Sequence, residues 1–486
     1  MKKLADILYK AGLTEIVGNT HIAVMGVTAD SRRIESQWCF VALRGSVTDG
    51  HQYIEQAIAK GATAIICEEI PSQQAENVTF VKVQSSAKAL GIIAANFYDN
   101  PSEKIKLVAV TGTNGKTTVT TLLFNLCRDM GFPCGLISTI DVRINDQIIP
   151  ATHTTPDSVQ LQMHLAKMVE AGVELCFMEA SSHGIEQDRL AGTKINGAAF
   201  TNLSHDHLDY HKTLANYIRA KKKLFDDLPK DAFALYNADD KNGSVMVQNT
   251  KAKTFSYALR TPADYNYKIL ENDINGLLIK TSDTEFFSTL NGEFNAYNLG
   301  VAIAIVDLLG LPKHDTLVHV SKLKPVRGRF EKQITATGVN AVIDYAHTPD
   351  ALNNILESLI EIKTPDQKLI AVVGCGGNRD KEKRPSMGNI SAKLADLVIF
   401  TSDNPRDEDP QDIIAQMENG VEIVHRKKCQ SITDRREAIM SALHTAQSGD
   451  IVLISGKGHE TYQEIKGVKH PFDDREVIES FNKKFQ

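Results

Sequence analysis

Residues 105–118 read IKLVAVTGTNGKTT, and this order of residue types decides the fold. The apolar run ending at Val110 has the character of a strand buried on both faces. It enters a glycine turn and then a helix, along which Val119, Leu122, Leu123, Leu126 and Met130 recur at helical spacing. Gly131 stands where a C-terminal cap belongs. The turn itself is Thr111, Gly112, Thr113, Asn114, Gly115, Lys116, Thr117 and Thr118. Its glycines let successive backbone N–H groups face a polyphosphate at a helix N-terminus. Lys116 then reaches the terminal phosphates, and the Thr117 hydroxyl suits a magnesium ion. Val110 replaces the first glycine of the usual eight-residue spacing, so the loop is GxxGKT. The expectation is an ATP site with Mg2+; the alternative is a bare strand-to-helix turn.

Outward from this loop the same alternation continues. LCFMEAS, GAAFTNL and AFALYNA are separated by helical stretches, which predicts parallel βαβ units with ligands at the carboxyl ends of the strands. Near the end, NAVIDYAH, KLIAVVGCGG, DLVIFTSDNP and DIVLISGKG repeat the strand-and-turn logic. Before the loop, WCFVAL, ATAIICEE and VTFVKV alternate, and the helical stretch SAKALGIIAANFY stops at Asn100-Pro101. The basic segment SKLKPVRGRF, 321–330, reads as a linker. With 486 residues and about 150 per domain, roughly three domains fit. The expected fold class is α/β, with domains at 1–101, 102–328 and 329–486. No repeat of 20 to 50 residues is present, which excludes a solenoid.

Composition narrows the function classes. At 42% hydrophobic and 23% charged the chain is of ordinary globular type. Its 54 Lys and Arg against 60 Asp and Glu leave a net charge of −6, without the basic surplus that nucleic-acid binding draws on. Anions must be held by local pockets. Seven cysteines, an odd number with no CxxC pair, argue against a disulfide framework and a cysteine zinc site, and fit a reducing compartment. Asp6 and Lys10 interrupt the apolar stretch a signal peptide needs, and the run from Leu299 meets Asp307 well short of the ~18 residues of a membrane span. The expectation is a cytoplasmic protein with no membrane span, and a monomer.

Further chemistry-bearing residues lie at strand ends. Glu179, in EASSH after LCFM, is placed to meet magnesium beside the loop. Ser204 to His211, SHDHLDYH, holds three histidines in seven residues; it lacks the cysteines of common zinc sites, so one histidine with Glu179 on magnesium is the preferred reading and a polar loop the alternative. The run Tyr217 to Lys223 reads physically as a solvated helix face. Gly374-Cys375-Gly376-Gly377 admits a dinucleotide-binding oxidoreductase, but Arg379 stands where the third glycine of GxGxxG belongs.

TGTNGKTT, EASSHG, LSHDHLDYH, YIRAK, GEFNAYN, RGRFE, DYAHTP, GCGGNRDKEKRP, DNPR and SGKGHE occur in one order, and in that order the chain resembles the Mur ligases of peptidoglycan synthesis from about Ser31 to Glu460. The resemblance implies an N-terminal uridine-nucleotide-binding α/β domain, a central P-loop ATPase and a C-terminal Rossmann-like domain. It implies that ATP phosphorylates the carboxylate of a UDP-MurNAc-dipeptide and that an amino acid then displaces phosphate. On matching motifs, Lys116, Lys221 and His207 are catalytic, and Thr117, Glu179, His207 and Lys221 as a carbamate form the metal site. Asn295, Asn298, Arg329, Asp344 and His347 join the loop residues around ATP. Ala29, Ser31, Ser46, Val47, Thr48, His153, Thr154, Thr155, Ser181, Gln187 and Arg189 take the UDP substrate. Ser46 to Thr48 stands where the family more often has a His-Gln pattern, and His205 where an arginine often precedes Asp-His.

Arg379, Asp403, Asn404, Pro405, Arg406, Gly456 and Glu460 match the amino-acid contacts. In the family DNPR accompanies meso-diaminopimelate, and lysine-adding relatives lack the arginine. The far carboxylate of diaminopimelate suits a guanidinium fork, whereas lysine offers none. The alternatives are the lysine-adding counterpart, a folylpolyglutamate synthetase-like ligase, and a P-loop ATPase without ligation.

Overall fold

The computed structural model describes every residue except Ser46, Val47, His205 and Gln486, and the side chains of Leu208, Asp209 and His314 are likewise outside the description. The strand Lys106–Thr111 lies inside a nine-stranded sheet, between Leu175–Glu179 and Gly197–Phe200. Both neighbours run parallel to it. Its side chains alternate between two cores: Val108 and Val110 face one, Leu107 and Ala109 the other. Burial on both faces is why this strand reads as a continuous apolar run. The helix Lys116–Asp129 covers one face with Leu122, Leu123 and Leu126 and ends at Gly131, whose φ of +90° makes the left-handed cap.

From Lys106–Thr111 the chain passes to one side of the sheet, and from Gly197–Phe200 it passes to the other. The phosphate loop therefore opens at a topological switch point, where α/β sheets hold ligands.

Two further sheets flank this one. The N-terminal sheet has five strands in the order Leu13–Val17, Thr79–Val83, Ala62–Cys67, Trp38–Val41 and Gly26–Thr28. The C-terminal sheet has six, in the order Glu331–Ile334, Asn340–Asp344, Ile451–Ser455, Leu369–Cys375, Leu397–Ser402 and Cys429–Ser431. Each is parallel except at its first pair and carries apolar clusters on both faces. The fold is α/β in three domains. Segment 321–330 is irregular, as a linker should be, yet it is packed down: Leu323 and Val326 join the central core and Phe330 the C-terminal one.

The helix Leu214–Asp226 departs from the solvated-face expectation. Lys221 is 1% exposed. Lys222 and Lys223 are half-buried and paired with Asp226 and Asp188. Among the described residues no helix is long and apolar enough to cross a membrane.

Candidate active site between the central and C-terminal domains

A cavity of about 640 Å³ opens at the end of the central sheet and is lined on its other side by residues 344–361 of the C-terminal part. Its floor is the phosphate loop. Gly112 and Gly115 adopt φ of +152° and +87°; a Cβ on Gly112 would stand 1.9 Å from Thr201 Oγ1, and one on Gly115 2.6 Å from Asn298 Oδ1. Residues 202–204 pin the loop. Thr113 N donates to Asn202 O (2.8 Å), Asn114 N to Asn202 Oδ1 (2.9 Å) and Ser204 N to Thr113 Oγ1 (3.0 Å). The first bond of the helix runs from Val119 N to Gly115 O (2.8 Å). The amides of Lys116, Thr117 and Thr118 thus have no intrahelical partner and form a ready anion cradle.

Two lysines share one carbonyl here. Lys116 Nζ donates to Gly112 O (2.9 Å) and Thr113 O (2.7 Å), and Lys221 Nζ donates to the same Gly112 O (2.7 Å). Neither forms an ion pair among the described residues. Burial lowers the Lys116 pKa, against the pull of Glu179 and Asp206. Burial and the neighbouring Lys116 carry Lys221 well below the usual lysine range. Glu179, fully buried, accepts from Thr139 N (2.7 Å) and Thr139 Oγ1 (3.0 Å). His207 lies at φ +55°, ahead of the single turn Leu208–His211, and burial pushes its imidazole down to about 4. Burial works against the charge of Asp206, yet His207, His347 and Lys116 outweigh it and hold the carboxyl low. Lys116, Thr117, Glu179, Asp206, His207 and Lys221 all line the cavity. No group of three His, Cys, Asp or Glu placed to hold a metal ion forms among the described residues, and His205 of the histidine run lies outside them.

The roof and far wall come from later in the chain. Arg329 reaches Thr117 Oγ1 (3.4 Å) and stacks on Tyr345, 4.3 Å from the ring centre. Asp344 accepts from Phe330 N and Ala346 N (both 2.7 Å), and burial raises its pKa. His347 Nδ1 donates to Tyr345 O (2.9 Å), and its own carbonyl accepts from Lys383 Nζ (2.8 Å). Asn298 lines the cavity; Asn295 lies behind it, its Oδ1 accepting from Asn298 Nδ2 (3.0 Å) and its own amide donating to Asn291 O (2.8 Å). At the end away from the loop, Asp239 gathers Leu259 N, Arg260 N, Thr261 and the Tyr297 hydroxyl. Asp239 belongs to no sequence motif, because its partners come from two distant segments, 259–261 and Tyr297, the latter inside GEFNAYN.

A second polar group adjoins Glu179. Thr139 Oγ1 also contacts Thr154 Oγ1 (3.1 Å), and Thr155 Oγ1 donates to Glu179 O (2.8 Å) while accepting from Ser181 N (2.9 Å). Arg189 Nη1 donates to Thr155 O (2.7 Å), and its Nε and Nη2 hold Gln187 Oε1 (3.1 and 2.7 Å). His153 is exposed beside them. In the N-terminal domain Ser31 Oγ donates to Gln56 Oε1 (3.0 Å), Ala29 packs on the core, and Thr48 is exposed. Ser46 and Val47 lie outside the described residues.

The last group stands at the strand ends of the C-terminal sheet. Asp403 is buried and accepts from Asn404 N (2.6 Å). Asn404 Nδ2 donates to Glu460 Oε2 (2.7 Å), and Lys457, 0% exposed, bridges Asn404 Oδ1 (3.0 Å) and Glu460 Oε2 (3.2 Å). Burial and Asp403 raise the Glu460 pKa. Gly456 sits 2.5 Å, measured from a Cβ placed on it, from Asp403 Oδ2. A Cβ on Gly377 would stand 1.9 Å from Pro405 O, so the glycine turn after Leu369–Cys375 is filled by the chain's own Pro405, not left open for a dinucleotide. Arg406 Nη1 donates to Gly377 O (2.8 Å), and the stem of the exposed Arg379 lies along Gly376. Lys457 lies inside SGKGHE, between Gly456 and Glu460, yet the sequence does not single it out; Glu464, which pairs with Arg406, belongs to no motif.

This arrangement of loop, roof and strand-end pocket defines a nucleotide-dependent ligase of known kind. The Mur ligase family catalytic domain profile matches residues 23–98, the Mur ligase middle domain 110–306, and the Mur ligase glutamate ligase domain 328–458. The chain belongs to the Mur ligase family and is an ATP-dependent, amide-bond-forming ligase.

Among its relatives are UDP-N-acetylmuramoyl-L-alanyl-D-glutamate--2,6-diaminopimelate ligases of Cytophaga hutchinsonii, 51% identical, and Bacteroides fragilis, 50% identical, each match covering 98% of both chains. A solved structure of a ligase with that name is 35% identical, covers 99% of both chains and superposes with a TM-score of 0.72.

Proposed function

We propose that this chain joins meso-diaminopimelate to the D-glutamate γ-carboxylate of UDP-N-acetylmuramoyl-L-alanyl-D-glutamate. The observation that carries the reading is Arg406: a guanidinium anchored at the glycine turn, its Nη2 making no hydrogen bond among the described residues, two positions along from Asn404, which holds the half-buried Glu460. A guanidinium for a carboxylate and a carboxylate for an ammonium match the far end of diaminopimelate; lysine has only the ammonium.

The chemistry follows from charge. A carboxylate is a poor electrophile, so its oxygen takes the γ-phosphoryl group and ADP departs. The amine of diaminopimelate then adds to the acyl carbon, phosphate leaves with the former carboxylate oxygen, and the nitrogen gives up its proton. The first step brings three anionic groups together, and positioning plus neutralisation is most of the catalysis. Lys116 and the open amides of the loop receive the phosphates, and Arg329 approaches from the roof. Asn298 and the Asp239–Tyr297 end face the base. Thr154, Thr155, Ser181, Gln187 and Arg189 place the UDP-linked peptide, with Ala29, Ser31 and Thr48 toward its nucleotide.

The Thr117 hydroxyl and buried Glu179 carboxylate are hard oxygen donors that fit Mg2+, which takes one or two protein ligands and completes its shell with phosphate and water; His207 stands beside them. Bound there, the ion neutralises charge on the transferring phosphoryl group. Burial and the neighbouring Lys116 disfavour the protonated form of Lys221; once deprotonated, its Nζ would be nucleophilic toward carbon dioxide, and a carbamate would replace a cation with an oxygen anion facing the same space. Domains at 1–101, 102–328 and 329–486, a cytoplasmic setting and a monomeric state complete the reading.

Mass spectrometry of the product tests it. With ATP, the UDP-dipeptide and an equimolar mixture of meso-diaminopimelate and L-lysine, the diaminopimelate adduct is expected; a lysine adduct alone overturns the assignment of the pocket.

A further inference from the structure

A guanidinium can receive a carboxylate along either of two edges, one including Nε and one spanning Nη1 and Nη2. In Arg406 the first edge is taken. Nε donates to Glu464 Oε2 (3.1 Å), and one Nη1 hydrogen is spent on Gly377 O (2.8 Å). What stays open is the far end of the fork.

Glu464 also holds the arginine's backbone. Arg406 N donates to Glu464 O (3.0 Å) and Lys466 N to Arg406 O (2.8 Å), so the hairpin of Tyr462–Ile465 and Val468–Pro471 grips the loop through a parallel bridge. This grip keeps Arg406 at φ +51°, a left-handed conformation that a long side chain adopts only under constraint. Glu464 N donates in turn to Asn404 Oδ1 (2.9 Å), which turns the Asn404 amide so that its NH2 meets Glu460.

We infer that Glu464 is a positioning residue for amino-acid choice: by occupying the Nε edge of Arg406 it leaves a single edge for the distal carboxylate of the incoming amino acid. The inference rests on the diaminopimelate reading above. The pair is also electrically apt. Glu464 and Arg406 side chains are 25% and 21% exposed, and together they are neutral, so the pocket meets a zwitterionic end group without a surplus of either sign. Removing the carboxylate frees the guanidinium to turn, and the carboxylate is then received in more than one geometry.

Steady-state kinetics on the full enzyme test this. For Glu464→Ala the KM for diaminopimelate should rise about tenfold, the scale of one hydrogen bond to a charged group, and preference over lysine should fall by the same factor. KM for ATP and for the UDP-dipeptide, and kcat at saturating diaminopimelate, should hold. Glu464→Gln keeps an acceptor for Nε and the size of the side chain, and should lose only two- to threefold; it serves if the alanine variant does not fold. In Arg406→Ala, the added Glu464→Ala change should cost nothing more, because the glutamate acts through the arginine. An unchanged preference in both Glu464 variants, while Arg406→Ala abolishes it, overturns this inference and leaves the diaminopimelate reading standing. Additive losses in the double variant also overturn it, since the glutamate would then touch substrate itself. Preference for diaminopimelate surviving Arg406→Ala overturns both.

Discussion

The phosphate loop of the central sheet and the strand-end group of the C-terminal sheet treat their cations in opposite ways. At the phosphate loop, Lys221 is buried and Lys116 half-buried, and among the described residues their ammonium groups hydrogen-bond only to backbone carbonyls, both reaching Gly112 O. At the amino-acid end, Lys457 is paired with Glu460 and Arg406 with Glu464. A buried amine without a counter-ion is costly, and two such groups side by side raise that cost. The first end is therefore unfinished without an anion of several charges. The second is already neutral and needs a ligand that carries both signs. A polyphosphate belongs at one and a zwitterion at the other.

Lys116→Ala should break the first end most severely. A loss of about 10²–10³ in kcat is expected, the scale of removing a transition-state donor, with every substrate combination affected alike. Phosphate release under saturating substrates measures it; activity retained within a few-fold removes the contrast. Lys221→Ala should follow, since it deletes the amine that a carbamate requires. A short-chain carboxylic acid should restore activity better than bicarbonate, and full activity without help would end the carbamate proposal.

How far the sequence reveals these two ends differs for a physical reason. The phosphate loop is encoded locally: apolar strand, glycines and helix lie within a few residues, and the geometry follows. Lys221 is not, because its burial depends on Gly112, 109 positions upstream, and by its neighbours alone it belongs to a charged helix face. Asn295 shows the same limit from the other side, a motif residue that faces its neighbour Asn298 rather than the cavity. The inner strands of all three sheets are legible from their apolar runs, whereas edge strands such as Leu13–Val17, Glu331–Ile334 and Cys429–Ser431 are more exposed and leave no such run. The hairpin that carries Glu464 is not, since exposed short strands leave little pattern.

Arg406→Ala sharpens the second end. It should lower kcat/KM for diaminopimelate at least tenfold and leave the KM of ATP alone, as loss of a charged hydrogen bond requires. Equal effects on both would mean the arginine serves the fold and not the pocket.

The smallest effect concerns protons. Burial and Arg329 push the half-buried His459 imidazole down to about 3, and partial burial pushes His207, whose side chain is 44% exposed, the same way to about 4. Unfolded, each binds its proton near 6.5, so between that value and the folded one the unfolded chain holds more protons. Stability should therefore rise with pH across about 4 to 6.5 and be lost as pH falls through that window. Urea midpoints at pH 4.5 and 7 would show it, and His459→Gln should flatten part of the slope. An unchanged midpoint would mean these imidazoles are solvated.

The most direct test of the contrast is phosphate release from ATP with the UDP-dipeptide present, comparing meso-diaminopimelate, L-lysine and no amino acid, in the wild-type chain and in Arg406→Ala. The account requires release with diaminopimelate alone in the wild type and a collapse of that preference in the variant. Release that needs neither the dipeptide nor an amino acid would contradict it, leaving an ATPase whose second end has no part in the reaction.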